Sequence, residues 1–538
     1  MPDAPIVPPP AASPSKTRLS PVEAWQPLPA AEWNLDAARH LLRRSGWTAR
    51  PTDVAQALKD GLATTLDRLF PAKAAPFPPP HALVELENLM SDMRAQMNAA
   101  PAGPGRQAAQ VALNQDFQQA EQELIVGWLD FANRPERSAQ EKWVLFLGDI
   151  YVISQEKVRN PQLVHQHQAI IRELGYGPAP ALTKAVSRSP AMVQFLDLGQ
   201  SQLGAPNENF ARELFELFTL GEGNYTERDI KEAARAFTGY RQQEGEFFFA
   251  PRQHDPTPKT VFNRTGNFDG DAVIDLVYAK PAAGEFVPHE LARFYLTDDP
   301  LPKEHLAMLG DWWRTTARYD LRRLAQRFFG SRLFFEPAYR GNYIKSPVQF
   351  LLGLLQDLNL DLVPVPRRAA GPLRQMGQIP FRPPNVRGWV GGRNWINSST
   401  LAARRQAVEL LFAPLNENNF NADEREAIEA ARKEGRGNFT FDQTRFANLL
   451  DLSAAELTDQ LLSTLLPVKV DEAYRGIIRD FLAATGPLDD TAPPPGRRGA
   501  GRGARAGGPR GGGVLAQRVN RLRNALVTIL QSPEYQLC

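Results

Sequence analysis

The stretch Asn207–Leu220 reads NENFARELFELFTL, and its spacing decides the fold. Set on a helix, Phe210, Leu214, Leu217 and Phe218 fall on one apolar sector, and Ala211 and Phe215 extend it round the other side. Between the two edges runs a polar strip, roughly 100° wide, that holds Asn209, Arg212, Glu213 and Glu216. Phenylalanine on both flanks predicts a helix mostly enclosed by protein. Carboxylates taken out of water need a cation or hydrogen-bond donors, or their pKa values rise. Two arrangements meet that demand. In one, Arg212 pairs with Glu216 four residues on and with carboxylates of neighbouring helices. In the other, Glu213 and Glu216, three apart on one face, serve a pocket as oxygen ligands or as an acid/base pair.

Downstream, Gly221–Tyr225 makes a turn, and Thr226 is placed to cap a second helix with Asp229 three residues on, in capping-box fashion. Ile230, Ala233, Ala234 and Phe237 supply that helix with a packing stripe. The pair is an αα-hairpin that carries Tyr225 and Asp229 to the end of the polar strip.

The same grammar extends both ways along the 538 residues. Residues 1–28 are proline-rich and read as a disordered tail. Residues 29–486 read as the helical core: Leu35, Ala38, Leu41 and Leu42 recur at helical spacing before Gly46, and residues 82–133 and 142–240 carry long helical patterns. Two stretches break the period. Residues 241–272, with Phe247, Phe248 and Phe249 before HDPTPKTVFNRTGNFDG, predict one small hairpin or an ordered loop. Residues 363–400, rich in Pro, Gly, Trp and Asn, predict a long ordered loop of the kind that often carries function. Residues 487–513 are an Arg/Gly/Pro-rich insert that cannot offset the entropy of a packed core. Residues 514–538 then form a helix with Val519, Leu522, Leu526, Ile529 and Leu530 on one face, expected to dock on the core. The expected class is all-α: a large multi-helical domain with a small β-hairpin and a long ordered Pro/Gly/Trp loop.

Composition narrows the function classes. A formal net charge of +2 gives no global field for nucleic acid or anionic membrane. No window approaches the roughly 18 apolar residues a spanning helix needs, so the chain is expected to be soluble. The single cysteine, Cys538, excludes a disulfide framework and a cysteine-built zinc site. The N-terminus lacks an apolar signal core, which favours the cytoplasm. HExxH, GxSxG, the phosphate-binding P-loop and the dinucleotide glycine fingerprint are all absent.

Three further constellations bear on chemistry. His254–Asp255, with Lys259 nearby, is either a capped turn or a proton-transfer or metal-ligand pair. His165 and His167, two apart, do not share a helix face. Trp389 and Trp395, with Asn394, Asn397 and Ser398, offer an aromatic platform with amide donors for a polysaccharide, or else lock the long loop by indole packing. The arginines of the insert lack the interleaved aromatics that stacking on nucleic acid needs.

With these segments in view, the chain resembles the bacterial family known as domain of unknown function 1800. The resemblance rests on NENFARELFELFTLGEGNYTERDIKEAARAFTGY and on SRSPAMVQFLD (Ser187–Asp197) before it. It continues through His254–Asp255 with Lys259, FDGDAVIDLVYAKPAAGEFVPHELARFYL (Phe268–Leu296) and Lys345–Ser346–Pro347. It ends with PPNVRGWVGGRNWINSSTLAARR (Pro383–Arg405) and SPEYQL (Ser532–Leu537), so it runs from about Trp33 to the C-terminus. The resemblance implies no established activity. It implies an often exported protein, encoded beside members of the domain of unknown function 1501 family, with which a shared complex is expected. One departure stands out. Where the family commonly carries an aromatic/His/Asn/His/Phe cluster, this chain reads Phe146–Leu147–Gly148–Asp149–Ile150–Tyr151, with Gly148 and Ile150 at the histidine positions.

Three functions are expected from these features. The first is a helical scaffold or partner-binding protein acting with such a neighbour. The second is a metal-assisted or acid/base enzyme using Glu213, Glu216, Arg212, His254 and Asp255, with Asn209 and Lys259 in binding roles. The third is a polysaccharide-binding module using Trp389, Trp395 and Asn397. No particular metal or cofactor is indicated.

Overall fold

In the computed structural model, which describes residues 17–86, 104–442, 449–484 and 514–538, the architecture is mainly all-α. Its centre is the helix Pro347–Asp357, PVQFLLGLLQD, in which every residue from Pro347 to Gln356 is buried. A helix apolar all round has to be enclosed on every side. It packs against the long helix Pro104–Asn133 and the short helix Gly371–Met376. Its two glutamines are satisfied by neighbouring backbone: Gln349 Nε2 donates to Arg43 O and Gln356 Nε2 to Asn133 O, both at 2.8 Å. Gly353 lets the backbone of Trp47 approach, since a Cβ there would sit 3.0 Å from Trp47 O.

Around this centre lie helices Leu35–Ser45, Ser138–Ile150, Pro161–Leu174, Pro281–Tyr295 and Leu321–Phe329, which share one continuous apolar core. The helix Val514–Leu530 packs on Ser398–Phe412, Ala454–Leu465 and Glu472–Ala483, with Leu522, Leu526, Ile529 and Leu530 buried. Among the described residues no helix is long and apolar enough to cross a membrane.

Three expectations need correction. Residues 17–28 are not tail: Ser20 caps a short helix, Pro21–Ala24, and the Trp25 indole is buried and donates to His305 O at 2.8 Å. One large aromatic outweighs the proline content around it. The break at 241–272 holds two hairpins rather than one. Strand β1 (Tyr240–Gln243) pairs antiparallel with β2 (Glu246–Phe249), and β3 (Lys259–Val261) with β4 (Arg264–Gly266). Each is closed by two residues of positive φ, Glu244–Gly245 and Phe262–Asn263, the turn whose twist matches paired strands. The 363–400 segment is helical in part, with turns at Pro366–Ala369, Gly371–Met376 and Gly392–Trp395, so the irregular portion narrows to Gly377–Gly391. The 487–513 insert lies outside the described residues.

Candidate functional site

The helix Asn209–Glu213 continues into a π-helical turn, Leu214–Thr219, and this reorders the polar strip. Leu220 N–H reaches back five residues to Phe215 O at 2.9 Å, and Thr219 Oγ1 donates to Leu214 O. The extra residue in the turn rotates the side chains beyond it, and such bulges recur at functional sites. The expected Arg212–Glu216 pair is therefore absent. Arg212 pairs instead with Glu227 at 2.8 and 2.9 Å and with Glu208 at 3.4 Å. Glu216 accepts from Arg387 at 2.6 Å and from the Tyr225 hydroxyl at 2.8 Å. Glu213 is half-buried; burial, and then the charge of Glu216, push its pKa up. Asn209 is exposed.

The second half of the expected site lies elsewhere. Arg235 Nε donates to Asp255 at 2.7 Å, and His254 Nδ1 donates to Thr238 O at 3.0 Å. Lys259 is buried with its ammonium on Asp255 O and Thr257 O, at 2.6 and 3.0 Å. These groups tie the two hairpins to helix Glu227–Ala236. Burial alone pushes Asp255 up, but the hydrogen bonds from Arg235 and Thr257 outweigh it and hold the carboxyl well below the usual range. His254 and Asp255 do not join the glutamates, because each is already committed to its own turn.

The histidine that does share a surface with Glu216 is His289. A groove of about 1100 Å³ is lined by Glu216, Glu222, His289, Glu290, Arg293 and Arg387, with Asp149 among them and Leu217, Phe286, Leu301, Val386 and Val390 as its apolar part. Neither Glu213 nor Arg212 lines it. His289 and Arg293 both donate to Glu290, at 3.0 and 2.7 Å. Burial raises Glu290, but these two partners outweigh that and keep it below its ordinary value.

Asp149 lies where the groove meets a small chamber of about 40 Å³, large enough for about three water molecules. The chamber is lined by Lys142, Tyr343, Ser346, Gln349 and Gln378, and its roof is the loop bearing Trp389 and Trp395. Lys142 and Asp149 are seven residues apart on helix Ser138–Ile150, a spacing that puts both on one face. Asp149 Oδ1 accepts the Trp389 N–H at 3.0 Å. Burial pushes its pKa up to about 7; the Trp389 hydrogen bond and the charge of Arg293 only partly offset this, and Glu290 adds to it.

The tryptophans are each only 9% exposed, so neither presents an open stacking face. Asn397 caps helix Ser398–Phe412 through Thr400 N at 2.9 Å. His165 and His167 donate to separate backbone carbonyls, of Phe77 and Tyr151. Among the described residues no three His, Cys, Asp or Glu side chains converge as a metal-ligand set.

Sequence reasoning passes over Asp149, His289, Glu290 and Arg293. Asp149 lies in the segment that departs from the family pattern, and Gly148 and Ile150, beside it, line a neighbouring cavity and the chamber respectively. The signal that could have found it is a carboxylate standing at the asparagine position, between the two substituted histidine positions. His289, Glu290 and Arg293 lie in a stretch that reads as the solvated face of a helix.

The architecture defines a multi-helical protein built round a charged, open groove. The chain belongs to the family described as protein of unknown function (DUF1800), whose model matches residues 40–537. No curated protein and no solved structure matches it.

Proposed function

We propose that the protein binds a polar ligand in the groove and exchanges a proton with it through Asp149, an acid/base role with Glu216 as the second carboxylate. One observation carries the reading. Asp149, Glu216 and Glu290, His289, and Arg293 and Arg387 come from four separate chain segments onto one surface beside an apolar wall. Convergent polar groups in an apolar-lined concavity are the usual mark of a ligand site. A carboxyl poised near neutrality suits it to give or take a proton at ordinary pH. Arg387 and Tyr225 hold Glu216 in place, and Glu290 orients His289.

The test is a panel of chromogenic esters, amides, glycosides and phosphate esters, run from about pH 5 to about pH 9. Turnover by the full chain that falls roughly 10²–10⁴-fold in Asp149→Asn supports the reading. Turnover that Asp149→Asn leaves intact, or none with any class, overturns it.

A second reading, a partner-binding protein, is favoured by Val390, which stands 70% exposed at the groove's edge. The partner proposed is a protein of the domain of unknown function 1501 family, presenting an amphipathic segment. Co-purification of the two chains, weakened by Val390→Asp, tests it; no stoichiometric complex would exclude it.

A further inference from the structure

The backbone of the loop between Asn385 and Trp395 is fastened to carboxylates just after two glycines, and each of these fastenings needs its glycine. Trp389 N–H donates to Asp149 Oδ1 at 3.0 Å, and Arg393 N–H donates to Asp298 Oδ2 at 3.1 Å. Gly388 (φ +74°) and Gly392 (φ +56°) precede these two donors, and a Cβ at either would collide with the carboxylate it faces. Only glycine adopts this conformation without strain and leaves room for so close an approach. Between the two points the loop covers the chamber with the buried indoles of Trp389 and Trp395, and Val390 stands out at its apex. Arg387, on the same loop, reaches Glu216 and Glu222 in the groove. The chamber and the groove share Asp149, Ile150, Glu290, Arg293 and Val390 in their linings. The loop lines both, with Trp389 and Trp395 on the chamber, Arg387 in the groove and Val390 in each.

We propose that the loop Asn385–Trp395 is a lid, seated on Asp149 and Asp298, whose lifting joins the chamber to the groove in one larger site. The inference rests on the seating geometry and holds whether or not Asp149 serves a ligand.

Proton uptake tunes the lid, and the sign comes from burial. Asp149 faces Lys142 on its own helix, Glu290 and Arg293 on helix Pro281–Tyr295, and the Trp389 N–H of the loop. Its proton is held more tightly under the closed lid, where the pKa is about 7, than in water. The closed state is thus favoured at low pH, where protonated Asp149 still accepts from Trp389 through its carbonyl oxygen. Above neutrality the ionised carboxylate is left in a confined place, and opening lets water reach it. Asp298 faces Arg393, Asp299, Arg44 and Tyr343; it is more exposed, and burial raises it in the same direction.

Hydrogen exchange of the Trp389 and Arg393 amides in the full chain tests the proposal, with intrinsic rates divided out. Between about pH 5.5 and about pH 8.5, linkage through a carboxyl at about 7 lowers protection of these amides about thirty-fold. Asp149→Asn keeps the acceptor and removes the charge, so protection stays high at both pH values. Gly388→Ala breaks the seat, so protection is lost at both, while the amides of helix Pro347–Asp357 report that the fold is intact. Wild-type protection that does not change with pH, or a Gly388→Ala variant protected like the wild type, overturns the lid.

Discussion

Both oxygens of Glu141 accept from the guanidinium of Arg172, each at 2.5 Å, with the two side chains 1% and 4% exposed. The Trp128 indole N–H adds a third bond to the same carboxylate at 2.9 Å, and the rings of Phe77 and Phe131 face the guanidinium. The pair joins helices Ser138–Ile150 and Pro161–Leu174, and so fixes the helix that carries Asp149. Removing one partner strands the other's charge in the core. Glu141→Ala should cost about 3–5 kcal/mol, read from the shift in the urea midpoint. Replacing both residues with apolar ones of similar volume should cost much less. A loss below about 1 kcal/mol in the single variant would mean that water reaches the pair.

Tyr225 and Glu216 form a second relationship that can be read directly. The Tyr225 hydroxyl is pushed up by burial and then by the hydrogen bond and charge of Glu216. Glu216→Gln removes the charge and keeps the shape. The tyrosine should then titrate closer to its ordinary value, seen as an earlier rise in phenolate absorbance against a Tyr225→Phe control. No displacement of that curve would show that Glu216 does not hold the hydroxyl.

These two contacts also show what the sequence could and could not say. The capping box of Thr226 and Asp229 was legible because it is local: Asp229 N–H donates to Thr226 Oγ1 at 3.2 Å as the spacing required. The approach of Tyr225 to Glu216 came from the same hairpin. The partner of Arg212 was not legible, because regular helical spacing holds only up to Leu214, where the π-helical turn begins. Arg387 was hidden for a different reason. It meets Glu216 across 171 residues of chain, and no periodicity encodes a contact between a loop and a distant helix. The buried lid tryptophans show the same limit, since a Trp/Gly/Asn loop has one composition whether its indoles face a ligand or the core.

Asp255 gives a prediction for the acid range. Its carboxyl is held low mainly by Arg235, against the effect of burial, so the folded state favours the ionised form. A carboxylate with a depressed folded pKa contributes stability above its ordinary value near 3.9, and that contribution fades as pH falls below it. Asp255→Asn should therefore unfold more readily than wild type at about pH 6, with the gap narrowing as pH falls below about 4 and still open at about pH 3. Amide exchange in strands β3 and β4 is the local readout. A gap that stays constant across this range would remove the ion pair as its cause.

Lys142 gives the complementary prediction on the basic side. Its ammonium donates to Arg44 O at 2.8 Å and Gly46 O at 3.1 Å, closing the C-terminal end of helix Leu35–Ser45. Burial, with the charges of Arg44 and Lys345 adding to it, lowers the pKa to about 7. Between that value and the ordinary lysine value near 10.4, the unfolded chain holds a proton that the folded chain has released. Stability from this group therefore rises with pH, by up to about 1.4 kcal/mol per unit. Lys142→Met abolishes the titration, and other groups cancel in the difference between the two proteins. The variant is expected to lose both carbonyl contacts, which sets a fixed offset, while the wild-type advantage grows from about pH 7 to about pH 9.5. Denaturant midpoints measured in pairs across that interval provide the check. A difference that is flat or shrinks with pH would show that Lys142 stays protonated in the fold, and that its two carbonyl partners outweigh its burial.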